Sequence, residues 1–225
     1  MKQLWADSLL VAAKDLRIEF RSRVVAAQVL PFGGLVLLLF AFALDPRRGM
    51  LPTVAPGLFW ITVLLSSILA VGRSIAVETE HGARDGLRLS GLDGAAIFLG
   101  KTAAVVLELL LLECILLVGT FVLYDVEVQG LVVIVPAAVA ATCGIAATGT
   151  VYGVLAAGAR VRETLVPLLV LPVSAPVLLG ATRSFESALQ GNSGDAWPWV
   201  QLLVVFAAVY VTAGVLAFGP MLEEA

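Results

Sequence analysis

Two carboxylic acids stand where charge is expensive. The run "VVLELLLLECILLV" carries Glu108 and Glu113 inside an otherwise apolar segment. A charged side chain at mid-membrane costs about 2.5–3.5 kcal/mol on insertion scales, so each acid must face protein or a wet cavity. Their separation of five positions turns them about 140° apart on a helix, so they are not a simple shared-proton dyad. Each acid keeps two readings. It lines a pathway or accepts a proton, or it is a protonated acid hydrogen-bonded to a hydroxyl of a neighbouring helix.

The second concentration of chemistry is a polar island, "VETEHGARDGLRLSGLDG", residues 77–94, set between two apolar runs. It holds His81, the single histidine of the chain, and no second His or Cys lies near it on that side of the membrane. A solvated loop histidine is therefore expected, and no metal site. The continuation "GLDGAAIFLGKT" imitates a phosphate-binding loop, but that loop needs four residues between its glycines and Gly94 and Gly100 enclose five. No buried strand precedes it, and the chain runs on into a membrane helix. No Ser/His/Asp set or paired-carboxylate site can be assembled from the loops. The chain is expected to lack catalysis and a nucleotide site of its own.

The elements that must position these residues are written in the composition. Of 225 residues, 60% are hydrophobic and 14% charged, with a mean hydropathy of +1.01. A soluble domain carries about 25% charged residues, so a polytopic membrane protein is expected. A spanning helix needs about 20 mainly apolar residues. Six stretches qualify, at about 24–44, 53–76, 102–124, 131–157, 165–183 and 197–219. They are continuous rather than alternating, which favours helices over barrel strands. The fold class expected is all-α, with a six-helix transmembrane domain over 24–219, a cytoplasmic loop at 77–101 and a short tail at 220–225.

Lys and Arg set the orientation, since basic residues are retained on the cytoplasmic side. The N-terminal tail, the island region and the connection holding Arg160 and Arg162 carry 11 of the 14 basic residues. Both termini and the island are thus expected to be cytoplasmic. A net charge of −3 offers no basic surface for nucleic acid. The beginning does not read as a signal peptide, because its charges run on to Arg23 with no short apolar core before a cleavage site. Residues 1–23 read instead as an amphipathic helix. Leu9, Ala13, Leu16 and Phe20 share one face, Lys14, Arg17 and Arg21 another, and Asp7 is placed to cap the start. Such a helix lies in the headgroup region with its basic face toward anionic lipid.

Within the spans, three further features have packing and functional readings. The fourth contains the small-residue stripes Gly149–Gly153–Ala157 and Ala140–Gly144–Thr148, which let backbones approach closely, within the chain or in a dimer. The fifth, "TLVPLLVLPVSAPVLLGAT", has Pro167, Pro172 and Pro176, each of which removes a backbone donor. A kinked helix packed on protein is expected, as a static feature or a moving gate. Trp197 and Trp199 read as interfacial anchors, with a substrate platform as the alternative, and Cys114 and Cys143 as inert, lipid-buried thiols, with a disulfide or metal pair as the alternative.

Six spans, an N-terminal amphipathic helix and a charged loop between spans two and three are shared by exporter permeases of the ABC class. A narrower likeness is carried by "DLRIEFRSR" before the first span and "APGLFWITVLLSSILAVGRS" through the second. With "GVLAAGARVRETLVPLLVLPVSAPVLLGATRS" further on, these segments resemble the CcmB family. Pro56, Gly57 and Trp60 match its "APG…W" segment, and Pro172, Pro176 and Gly180 its "LVLP…PVLI-G" segment. Three departures stand out: Glu108 and Glu113 in the third span, "DGLRLSGL" where the family has "DGSLEQL", and an extra acid, Glu163, in the basic turn.

The resemblance implies a bacterial inner-membrane permease subunit of the cytochrome c maturation heme exporter. It implies heme as cargo, ATP used by a separate CcmA-like ATPase subunit, other cytochrome c maturation membrane proteins as partners, and a homodimer as one possible assembly. Glu78, Glu80, Asp85, Gly86, Leu87 and Leu89 then become the segment that grips the ATPase, and Glu108, Glu113, Pro172 and Pro176 candidates for pathway or gate. Two alternatives stay open: a permease for a lipid, drug or polysaccharide, and a membrane assembly factor that transports nothing.

Overall fold

The computed structural model describes residues 2–23, 25–44, 51–80, 91–124, 130–157 and 162–224. All regular structure among them is helical. In chain order the elements are α1 (Lys2–Ser22), a π-helical stretch (Val25–Val29) running into α2 (Leu30–Ala43), α3 (Leu51–Glu80) and α4 (Gly94–Tyr124). These are followed by α5 (Leu131–Ala157), α6 (Arg162–Val173), α7 (Ala175–Leu189) and α8 (Ser193–Glu224).

Four helices, α3, α4, α5 and α8, are long and apolar enough to cross a membrane, and α6 with α7 makes a fifth if the bent pair is one span. The apolar part of the first expected span, Ala27–Ala43, is shorter. Between α6 and α7 the chain bends by 54°. Pro172 and Pro176 flank the break, and neither can donate to the carbonyl four residues back. Ser174 between them still donates its N–H to the Val170 carbonyl at 2.9 Å and accepts from Leu178 N–H at 2.9 Å. The result is a sharp corner, where the sequence suggested a kink.

Two boundaries differ from those expected. The loop placed at 77–101 is helical at both ends, because α3 continues through Glu80 and α4 starts at Gly94. No Gly or Pro interrupts 73–81, so nothing stops α3 earlier. At the other end Asp93 caps α4, its Oδ1 accepting the Ala95 N–H at 3.0 Å. Asp7, expected as a cap, lies inside α1, which already begins at Lys2. The helix ends at Ser22, and Arg23 after it, with a φ of 55°, is a non-glycine residue in the left-handed region.

α5 sits at the centre, packed against α3, α4, α6, α7 and α8, most extensively against α8. Its small residues make this possible. A Cβ on Gly144 would lie 2.9 Å from the Phe206 ring of α8, and one on Gly149 would lie 2.7 Å from Val71 of α3. The stripes of small residues thus pack within the chain. Around them the apolar interior divides in two. The larger cluster includes Trp60, Val63, Leu109, Leu112, Ile145 and Leu203. The smaller one gathers Ile97, Phe98, Ala147, Val151, Val154 and Phe218 at the end where α4 starts and α8 finishes, called here the loop end.

At the loop end the fit is closest at Gly214, where an added Cβ would fall 2.1 Å from the Phe98 ring. Overpacking of this kind costs about 1–3 kcal/mol. Gly214→Val is therefore expected to lower the melting temperature of the detergent-solubilised protein by several degrees. Gly72→Ala, which meets nothing within 4 Å, should leave it unchanged.

Candidate functional site

Glu113 is 4% exposed and reaches from α4 to α5, where the Thr142 hydroxyl donates a hydrogen bond to its Oε1. Its Oε2 is buried without a hydrogen-bond partner. Hydroxyls elsewhere in the bundle mostly turn back on their own helix: Thr62 to the Leu58 carbonyl, Thr148 to Gly144 and Ser184 to Gly180, at 2.7–2.8 Å. Thr142 instead spends its proton on a neighbouring helix. This matches the helix-joining alternative for Glu113, and leaves one polar oxygen in the apolar interior. At the opposite end from the loop, the Tyr124 hydroxyl donates to the Leu37 carbonyl at 2.9 Å, tying α4 to α2.

Glu108 belongs to different surroundings. It is half-buried and turned toward α1, whose Glu19 and Asp15 act on it electrostatically. In the same region Lys101, only 6% exposed, has its Nζ 3.5 Å from Asp15 Oδ2, while Lys14 holds Asp15 Oδ1 at 2.8 Å. Lys101 and Glu108 are seven positions apart, about two turns, and so share one face of α4. The two acids singled out in the third span therefore do not form one site. One joins helices in the core, and the other closes a charged patch beneath α1.

Reading the sequence missed that patch. By position alone Lys101 reads as one of the loop-side cations, and Asp15 as the opening residue of the likeness segment "DLRIEFRSR". The available signals were the seven-residue spacing of Lys101 and Glu108 and the Asp15 carboxylate on the α1 face opposite Leu9, Ala13 and Phe20. Leu9, Ala13 and Phe20 are exposed, whereas Ser8, Val11 and Ala12 are buried.

The two segments that carry the family likeness meet in space. Trp60 of α3 is fully buried, edge-on to Phe59 at 5.5 Å and to Phe185 of α7 at 5.1 Å. Phe59 and Phe185 stack with centroids 5.5 Å apart. Pro56 lines a small apolar depression with Phe59, Leu117, Phe121, Ile134 and Phe185. A Cβ on Gly57 would come 3.8 Å from Thr182 of α7, and Gly180 packs on Leu202 and Leu203 of α8. These positions thus lock α3, α7 and α8 together by aromatic contact and close approach. Pro172 and Pro176 are exposed at the corner between α6 and α7. Asp85, Gly86, Leu87 and Leu89, like His81, lie outside the described residues, and so do the side chains of Glu78 and Glu80.

Compared with known proteins, residues 7–224 match the family model described as "CcmB protein". The chain belongs to the CcmB family. Relatives named heme exporter protein B include that of Pseudomonas aeruginosa, 28% identical over 201 residues and covering 88% of this chain and 89% of the relative. The Bradyrhizobium diazoefficiens protein of the same name is 27% identical over 215 residues, covering 94% and 95%. That of Escherichia coli K12 is 34% identical over 90 residues, 40% of this chain and 41% of the relative. For this CcmB-family chain, the match runs through α1 and all the later helices.

Removing the Thr142 hydroxyl would leave both oxygens of Glu113 unpartnered, which costs about 1–3 kcal/mol for a buried polar group. Thr142→Val should therefore melt several degrees below the parent in detergent. Thr142→Ser, which keeps the donor, should melt closer to it.

Proposed function

We propose that this chain is the permease subunit of an ABC-type heme exporter serving cytochrome c maturation. The observation that carries this reading is the family match across 7–224, together with relatives named heme exporter protein B that align over nearly their whole length. Heme is the cargo, moved across the membrane or released on its outer side. ATP is hydrolysed by a separate CcmA-like subunit. The chain resides in the bacterial inner membrane, as a homodimer or beside other cytochrome c maturation proteins.

In this reading there are six spans: α2, α3, α4, α5, the broken pair α6–α7, and α8. Two observations support the count. A Cβ on Gly130, just before α5, would lie 2.8 Å from the Ala188 carbonyl near the end of α7, so the far end of the α6–α7 pair reaches the level where α5 begins. The apolar stretch Ala27–Ala43 is about 25 Å long, at the lower limit of what spans a bilayer. Both termini and the loop are cytoplasmic, following the basic residues. α1 is an interfacial helix, a reading supported by exposed Trp5, Leu9, Leu10 and Phe20 beside exposed Arg17 and Arg21.

The coupling segment is Glu78 and Glu80 at the end of α3 together with Asp85, Gly86, Leu87 and Leu89 between α3 and α4, so that a push on it reaches both helices. The corner at Pro172 and Pro176 is the candidate gate, since carbonyls freed by proline allow α6 and α7 to change their angle without breaking a regular helix. Of the two acids of α4, Glu113 is the pathway candidate in this reading, through its unpartnered Oε2, and Glu108 belongs to the charged patch beneath α1.

The test has two arms. Asp85→Ala/Leu87→Ala/Leu89→Ala should reduce co-purification of the ATPase subunit at least tenfold while the chain stays in the membrane. Deleting the gene should abolish covalent heme staining of c-type cytochromes, and normal staining would overturn the heme-export reading.

A further inference from the structure

The start of α4 is gripped from two sides by contacts too close for any residue but glycine. On one side a Cβ on Gly100 would lie 2.6 Å from the Ser8 carbonyl and 2.6 Å from Val11 Cβ, both of α1. On the other side a Cβ on Gly94 would lie 2.5 Å from the Gly219 Cα of α8, and Phe98 fills the notch at Gly214. Phe98 also meets Phe218 with centroids 5.5 Å apart. Next to Gly100 stands Lys101, buried, with its ammonium on Asp15 of α1. These contacts lie within the first two turns after the loop, and they belong to the smaller of the two apolar clusters or to the α1 interface.

We infer that Lys101 is a positioning residue for transport: its ion pair with Asp15 makes α1 move as one body with the loop end of α4. The inference rests on the reading that the ATPase acts on the loop between α3 and α4. A displacement of that loop tilts α4 at Asp93 and Gly94. The glycine contacts transmit pushing, because the backbones already touch, but apolar contact between two smooth faces resists sliding poorly. A charged pair beside Gly100, with Lys101 Nζ 3.5 Å from an Asp15 Oδ2 that makes no hydrogen bond, supplies what the glycine contact lacks, a point of electrostatic attachment that opposes slip of α1 along α4. From α1 the movement passes through the turn at Arg23 and the π-helical stretch into α2. Lys101 thereby links the loop to the first membrane helix, which gives this nearly buried lysine a role.

The complex with its ATPase, purified in nanodiscs, gives the test. Lys101→Met should keep ATPase binding and ATP hydrolysis within twofold, while heme delivered per ATP hydrolysed falls tenfold or more. The exchange Asp15→Lys/Lys101→Asp should recover at least a third of the parent ratio. A ratio within twofold of the parent in Lys101→Met overturns the inference, as does a loss in that variant which the exchange does not restore. Should Lys101→Met fail to accumulate, Asp15→Asn takes its place, and an unchanged ratio there also overturns it. Failure of the unmodified chain to bind the ATPase at all would instead count against the permease reading itself.

Discussion

In lipid, apolar side chains gain nothing by leaving one apolar surface for another, so helices must be held by close packing and a few polar ties. The rest of this bundle depends on how closely α5 lets its neighbours approach. Five helices gather round it because its buried face is built of Ala, Gly and Thr, with Gly144 against Phe206 and Gly149 against Val71. A larger side chain at either position would push α8 or α3 outward, and the contacts made farther along those helices would separate with it.

The polar groups inside follow the same logic. Most buried hydroxyls return to a carbonyl of their own helix, which satisfies them without linking anything. The Glu113–Thr142 bond and the Tyr124–Leu37 bond do link helices, and both start from α4. With Lys101 holding α1 at its other end, α4 is tied to α1, α2 and α5 at three heights. It is also the helix that emerges directly from the loop proposed to meet an ATPase. A helix so tied is suited to pass a displacement to several neighbours at once, whereas α8, whose outward face is lined by exposed Val204, Val205, Val209 and Leu216, is free to face lipid or another subunit.

The division of the apolar interior into a large and a small cluster fits this view. Phe98 and Phe218 anchor the small cluster at the loop end, and Trp60, Phe59 and Phe185 anchor the large one toward the far end. The corner at Ser174 lies between α6 and α7, where regular hydrogen bonding is thinned by proline. Val166 and Val170 before the corner and Val177 after it all belong to the large cluster, so the bend is packed within that cluster and leaves the small one to α4, α5 and α8.

Much was legible in the sequence because lipid imposes a length and a composition on whatever crosses it. The helical class, the long apolar elements, the polar loop and the family likeness all follow from local runs and their order. Glu113 was recognisable as a residue needing a partner, since its cost in an apolar run is a local matter. What only the tertiary structure decided is which partner. Thr142 is one of several hydroxyls in α5 within a similar stretch, and periodicity does not say which of them faces α4. Nor could it separate Glu108 from Glu113 in role, because the helix angle between them names two directions and not what lies along each. The Lys101–Asp15 pair is the strongest case. Its members are 86 positions apart, and each alone reads as a surface charge; burial arises only when Gly100 brings the backbone of α1 against α4. Local chemistry determines that a segment is a helix and what it must satisfy, while the choice of neighbour depends on shape, which exists only after the helices have packed.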